Sequence, residues 1–322
     1  MDLARSIQIV IERVIMKMVR HVYVQTGVEN LCLAGGVALN CVANGKILRE
    51  GPFKNIWIQP ASSDAGGALG AAFIAWHEYM GKAREADGGA DKQQASLLGP
   101  SFSDEEIRQY LEKNEIPYEE LSRKCLPSRV ADLIAGQNVI GWFQGRMEFG
   151  SRALGSRSIV GDPRSEKMQS VINRKIKFRE SFRPFAPSII LEKAEEYFGL
   201  TCESPYMLLV SPVREEKREN PIAVKDLKGL EKLKIKRSEI PATTHVDYSA
   251  RVQTVKMEDN PLYYEMIRRF GEDYGCPLVI NTSFNVRGEP IVCTPDDAYR
   301  CFMRTSMDYL VMGQFLVDKA KQ

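Results

Sequence analysis

The chain has 322 residues, 44% hydrophobic and 27% charged, with a formal net charge of +2. That fits one large or two ordinary domains and disfavours a nucleic-acid or membrane binder acting through global charge. No apolar run approaches the roughly 20 residues that span a bilayer, and the seven cysteines form no CxxC pair, so neither a zinc site nor a disulfide framework is expected.

The elements follow in order. Ile7, Val10, Ile11, Val14, Ile15, Met18 and Val19 fall at helical spacing, predicting an amphipathic helix that begins almost at Met1. No strand or turn leads into it, which predicts a part of a longer or split protein. Leu31–Leu33 reads as a short strand running into Gly35-Gly36 and a helix to about Arg49. Asn55–Gln59 reads as a second strand, followed by a turn through Asp64 and a small-residue helix from Ala68 to Trp76. Strands alternating with helices predict a parallel sheet. Residues 81–99 are polar, with Asp87-Gly88-Gly89 among them, and read as the linker that divides 1–95 from 96–322. Beyond it, Ser103 with Glu106 caps a helix. Val139–Phe143 and Pro277–Ile280 read as strands, and Arg214–Ile240 as a solvated excursion rich in Lys and Glu. Thr294-Pro295 opens a late helix, and Tyr309–Val317 reads as the closing strand.

The most informative stretch runs from Gly141 to Pro187. Residues 141–190 hold seven Arg and three Lys against four acids, so the chain's positive charge is concentrated here. The planar fork of Arg suits bidentate phosphate binding, and the interleaved glycines let backbone N–H groups approach an anion. A solvated basic face is the bland alternative. Phe149, Phe178, Phe182 and Phe185 argue against it, because a wet face would mix Lys and Glu at helical spacing. Nucleic acid would also explain interleaved Arg and Phe, but the near-neutral remainder of the chain disfavours a long backbone track.

Two more clusters are polar: His245 to Val255, and Asn281 to Pro290 directly after a strand. Hydroxyl and amide groups at a strand end can orient a ligand, or can simply stabilise a loop. Near the N-terminus, Gly35-Gly36 before a helix can receive a phosphate or sugar. Asp64 at the second such turn can ligate a metal or cap the helix.

Together these motifs resemble the O-carbamoyltransferases of antibiotic and nodulation-factor tailoring, over nearly the whole chain. LAGGVALN (33–40) and SDAGGA (63–68) are similar to the second lobe of that family's actin-like catalytic domain. GRMEFGSRALGSRS (145–158), the run to Pro187, and the two polar clusters are similar to its YrdC-like domain. The resemblance therefore implies an α/β fold: a partial actin-like lobe followed by a YrdC-like twisted α/β sheet domain. It implies a carbamoyltransferase that converts carbamoyl phosphate and ATP to a carbamoyl-adenylate, for transfer to a hydroxyl-bearing acceptor. By resemblance, Arg146, Arg152, Lys177, Arg183 and Arg251 bind phosphate and carbamoyl phosphate. Arg157, Ser158, Asn281, Ser283 and Asn285 contact substrate or nucleotide, and Gly35, Gly36 and Asn40 hold adenosine. Asp64 matches a ligand of the family's iron-type divalent metal, whose histidines come from the first lobe. This chain has only His21, His77 and His245, with no HxxxH pair. Metal binding and transfer are thus expected only with a first lobe, which could be encoded separately. Ser151 and Ser156 stand where the family usually shows Pro and Asn, predicting a looser loop around Arg152. Two other readings are a non-catalytic nucleotide- or carbamoyl-phosphate-binding module that needs a partner half, and a YrdC-like RNA-binding protein. The odd cysteine count, without a recognisable leader, reads as reduced and cytoplasmic.

Overall fold

The computed structural model describes residues 2–85, 91–219, 227 and 229–322. They form two compact units: the described residues of Met1–Lys92 with Phe149–Ser151 and Met207–Val210, and those of Gln93–Glu148, Arg152–Tyr206 and Ser211–Gln322. No described helix is long and apolar enough to cross a membrane.

In the first unit the amphipathic N-terminal pattern becomes helix α1 (Asp2–Thr26). Strands β1 (Asn30–Leu33) and β2 (Asn55–Ile58) pair in parallel, with Leu33 opposite Ile58, as the alternating pattern predicts. Helix α2 (Cys41–Glu50) lies between them in the chain. Met16 and Val19 of α1 meet Ile47 and Phe53 in a small core. Helix α3 (Asp64–Ile74) starts four residues earlier than expected, runs into a π turn at Ala75–Tyr79, and buries none of its residues.

Of the expected linker, residues 86–90 lie outside the described residues. Farther on, Gln93 and Ser96 are buried, and the two units divide at Lys92 and Gln93. The lysine-rich excursion is not solvated throughout. Residues 220–226 and 228 lie outside the described residues, but Arg237, Ser238 and Ile240 are buried. The Arg237 guanidinium donates to the carbonyls of Thr244, Lys232 and Ile235, which lets a charged residue enter the interior.

Among the described residues, nine strands join in one mixed sheet. They are β3 (Glu119–Glu120), β4 (Ile140–Phe143), β5 (Arg157–Gly161), β6 (Ala186–Ile190), β7 (Leu209–Pro212), β8 (Ser249–Val255), β9 (Leu278–Ser283), β10 (Tyr309–Met312) and β11 (Phe315–Asp318). Their spatial order is β3-β11-β10-β4-β5-β9-β6-β8-β7. The β10–β4 and β6–β8 pairs are parallel, whereas β4–β5, β5–β9 and β6–β9 are antiparallel. Phe143, Ile159, Ile280, Leu310 and Phe315 share one core with Ile107, Ile172 and Phe302. These last three come from helices α4 (Asp104–Lys113), α6 (Met168–Lys175) and, after α5 (Leu126–Ala135), α7 (Leu191–Phe198) and α8 (Pro261–Tyr274), from α9 (Pro295–Met303). Trp142, which alternates with Phe143, packs on Tyr263 of α8. The caps expected at Ser103 and Thr294 are both present as reciprocal capping boxes.

Two strand predictions need correction. Tyr309–Val317 is a hairpin, not one strand: β10 and β11 pair antiparallel about Gly313, whose φ is +56° and where an added Cβ would lie 2.4 Å from Asp104 Oδ1. Apolar residues on both sides hide that turn in the sequence. The Pro277–Ile280 strand continues to Ser283. Asn281 and Ser283, which look like loop residues, are ladder residues opposite Val160 and Ser158 of β5.

Candidate functional site

The sheet register gathers the polar motifs at one end. Ser158 pairs with Ser283, and Asn281 with both Val160 and Ala186. Ser188 pairs in parallel with Gln253, which brings Ala186 level with Arg251. Arg157, Ser158, Arg183, Arg251, Asn281, Ser283 and Asn285 therefore meet where β9 ends and β5, β6 and β8 begin.

Lys177, just past α6, reaches the same place. Its Nζ lies 2.5 Å from Ser283 O, 3.0 Å from Ser283 Oγ, 2.9 Å from Asn285 O and 2.6 Å from Asn285 Oδ1. Burial, and then the nearby Arg179, push the ammonium down to about 7. The three N–H groups of the ammonium are shared among these four oxygens. Lys177 thus ties the Ser283–Asn285 segment to the end of α6.

Arg179 was not singled out from the sequence, yet it belongs here. Its Nε donates to Asn173 Oδ1 at 2.6 Å, and its guanidinium lies 5.1 Å from the centre of the Phe185 ring. Asn173 Nδ2 in turn donates to the carbonyls of Ser181 and Arg183, fixing the loop that carries Arg183. Arg183 pairs with Glu180 at 2.9 Å. The Glu180 carboxyl is held below its usual range by its own backbone N–H, and further by Arg183, Arg287 and Arg179. Three arginines therefore act on one acid. The signal for Arg179 was its two-residue spacing from Lys177, matched by that of Ser283 and Asn285. In the structure Phe178, between the two basic residues, has φ +47°, and Asn285 N–H donates to Ser283 O, so both pairs sit in turns. Arg287 carried no separate signal.

The glycine-rich loop supports this end from below. Glu148 is buried, and its Oε1 accepts from the backbone N–H groups of Leu154 (2.6 Å), Ser156 (2.8 Å) and Arg157 (3.3 Å). Gln253 Nε2 donates to Leu154 O, and Asn281 Nδ2 to Ala153 O, to Ser188 Oγ and to Gln253 Oε1. Trp142 Nε1 and Asn260 Nδ2 both donate to Gly155 O. Of the two serines in this loop, Ser151 is exposed and Ser156 is buried, its backbone N–H donating to Glu148.

Arg157 and Ser158 serve the same scaffold. Arg157 is fully buried over the Phe143 ring, 3.6 Å from its centre, and donates to the carbonyls of Gln144, Gly145 and Ser156. Burial pushes its guanidinium down to about 10. Ser158 Oγ accepts from Gly155 N–H. Both side chains are buried and bonded to the glycine-rich loop. Asn281 is likewise buried, and its amide nitrogen is engaged as above.

The remaining arginines differ among themselves. Arg146 is exposed and donates to the carbonyls of Gly99 and Leu98. Arg152 is half-buried, and its Nε is a buried donor with no partner among the described residues. Such a donor carries a desolvation cost that an anion would relieve. Arg251 is half-buried near His245. Burial lowers the His245 imidazole, whose Nδ1 is 2.9 Å from Ser249 Oγ.

In the first unit, Gly35 (φ +88°) opens the turn after β1, and an added Cβ at Gly36 would lie 3.7 Å from Ser63 Oγ. The two predicted turns are therefore neighbours. Asn40 caps α2 through Ala43 N–H and exchanges hydrogen bonds with Gln8. Asp64 is exposed in the first turn of α3. Among the described residues no group of three His, Cys, Asp or Glu could hold a metal ion, and His77 Nδ1 is bonded to Lys82 O. One exposed carboxylate binds a divalent ion weakly against water, so the residues present do not fit the implied iron-type centre.

Comparison with known proteins adds an independent line. A family profile described as carbamoyltransferase C-terminus matches residues 131–319, and one described as carbamoyltransferase N-terminus matches residues 1–73. An uncharacterized protein of Synechocystis sp. is 58% identical over 100% of this chain and 53% of its own length. Nodulation protein NolNO of Sinorhizobium fredii is 43% identical over 99% of this chain and 44% of its own length. Nodulation protein NolO of Bradyrhizobium diazoefficiens is 41% identical over 99% of this chain and 54% of its own length. The chain spans about half the length of these relatives. A solved structure of full-length HypF in its phosphate- and nucleotide-bound form aligns at 14% identity with a TM-score of 0.38, over 59% of this chain and 25% of that one.

Proposed function

Because the chain belongs to the carbamoyltransferase family, we propose that its second unit forms a carbamoyl-adenylate from carbamoyl phosphate and ATP. In the same reading the first unit corresponds to part of an actin-like lobe and the second to a YrdC-like domain. The observation that carries the proposal is the gathering of Lys177, Arg179, Arg183 and Arg287 at one end of the sheet, beside Ser283 and Asn285.

Two phosphorylated substrates repel one another, and clustered cations offset that repulsion without a covalent catalyst. Water first cleaves carbamoyl phosphate to carbamate and phosphate. A carbamate oxygen then attacks the α-phosphorus of ATP, and the bond to the pyrophosphate oxygen breaks. The products are carbamoyl-adenylate and pyrophosphate. Attack of an acceptor hydroxyl on the carbamoyl carbon would release AMP and complete the transfer. No metal-dependent step is assigned to this chain.

The test is pyrophosphate release from ATP by the purified chain, with and without carbamoyl phosphate. Release that requires carbamoyl phosphate supports adenylate formation. Binding of both substrates with no pyrophosphate would reduce the chain to a binding module.

Arg152 provides a second check. Its buried, unpartnered Nε is suited to an anion, and a charge-assisted hydrogen bond contributes roughly 1.5–3 kcal/mol. Arg152→Ala is expected to weaken carbamoyl phosphate or ATP binding about 10- to 100-fold, read by titration calorimetry. Unchanged binding would make Arg152 an ordinary surface arginine.

A further inference from the structure

Helix α1 carries more apolar surface than the fold covers. At about 100° per residue, Met16, Val19 and Tyr23 point to one side and join the core of the first unit. Leu3, Ile7, Val10, Val14 and Met18 lie on the opposite side, in a stripe roughly 80° wide, and are 44–82% exposed. A surface helix needs a single apolar stripe. Isolated exposed apolar residues are common, but a continuous row of five along one helix marks an interaction surface.

The border of the stripe indicates its partner. Arg13, Lys17 and Arg20 flank it on one side and are exposed. The helix has two acids, Asp2 and Glu12. Glu12 is buried on the inner face, where it pairs with Lys46. A second copy of the chain would therefore offer Asp2 alone to three cations. A partner helix with Asp or Glu beside its own apolar row would answer all three. The longer relatives carry about half their length outside the matched region, enough chain to supply such a helix.

We propose that the Leu3–Met18 stripe is the seat of an acid-flanked amphipathic helix from the half of the family's length that the match does not include. The proposal is independent of the adenylate chemistry.

Thiol labelling tests it on proteins as they exist. Val14→Cys is made in this chain, and the aligned position is changed to Cys in the full-length Synechocystis relative. Mass spectrometry reads labelling at that site. The new thiol is expected to react freely here and at least roughly tenfold more slowly in the longer relative, as covered positions do. Val10→Glu should leave the melting temperature of this chain unchanged and lower that of the relative. Equal labelling in the two proteins would overturn the proposal. Protection that grows with concentration in this chain alone would overturn it too, because the occupant would then be a second copy.

Discussion

Replacing Lys177 by Met is expected to lower carbamoyl-phosphate-dependent pyrophosphate release by about 100-fold or more. Met is unbranched and one atom shorter than Lys, and has no donor. Ser283 O and Oγ and Asn285 O and Oδ1 would all lose the ammonium that draws them together. Hydrogen bonds to a charged group contribute roughly 1.5–3 kcal/mol each, and about 2.7 kcal/mol is a hundredfold in rate. A merely structural role would give that loss too, so the pH dependence is the sharper measurement. The ammonium titrates at about 7 in the folded chain instead of the ordinary 10.5. Its charge is full below that point and fades above it. Phosphate binding by the wild type should therefore weaken as pH rises through about 7, and the Lys177→Met protein should lack that step. Stability moves the other way. Between about 7 and 10.5 the unfolded chain binds more protons than the folded one, so folding stability rises with pH in that window. Anion affinity that stays level from pH 6 to 9 in the wild type would sink the assignment.

Gly155→Ala should be the most destabilising of the conservative changes in the glycine-rich loop. Gly155 has φ +106°, and a Cβ there would lie 2.3 Å from the ring of Tyr263. Tyr263 is fully buried beneath the loop and cannot swing away. The backbone strain is on the order of 1–3 kcal/mol, and overpacking a filled core adds roughly 1–3 kcal/mol. A loss of about 2–6 kcal/mol, read from the denaturant midpoint, is expected. Gly145→Ala makes a useful contrast, because an added Cβ there meets nothing within 4 Å and only the positive φ of 48° resists it. Similar midpoints for the two variants would mean that the loop shifts to admit the methyl group.

The parts of the fold that could be read from sequence were those set by local chemistry. Ser103 with Glu106, and Thr294 with Asp297, announce their helices through a cap that needs four residues. The strand β4 is an apolar run with no competing signal. Residues whose roles depend on distant partners were harder. Arg157 looks like any arginine of a basic motif. Only the register of β4 against β5 shows that it stacks on Phe143 inside the core. Glu148 looks like a stray acid among cations, and its role is set by three N–H groups six to nine residues away. For the candidate site, the basic character and the polar strand end were legible. The division between Arg157, which builds the end, and Arg179, Arg183 and Arg287, which surround it, was not, because burial is a tertiary property.

The strand order constrains how the protein is made. β10 and β11 lie between β3 and β4 in space but follow both by more than 160 residues in the chain. While a ribosome is still extending the chain toward Tyr309, β3 has no neighbour on its inner side, and β4 has only β5. The nascent sheet therefore exposes an unpaired, apolar flank through most of synthesis, a template for strand exchange with another chain. Insertion of the β10–β11 hairpin is the step that ends this exposure, so chaperone dependence should be concentrated before it.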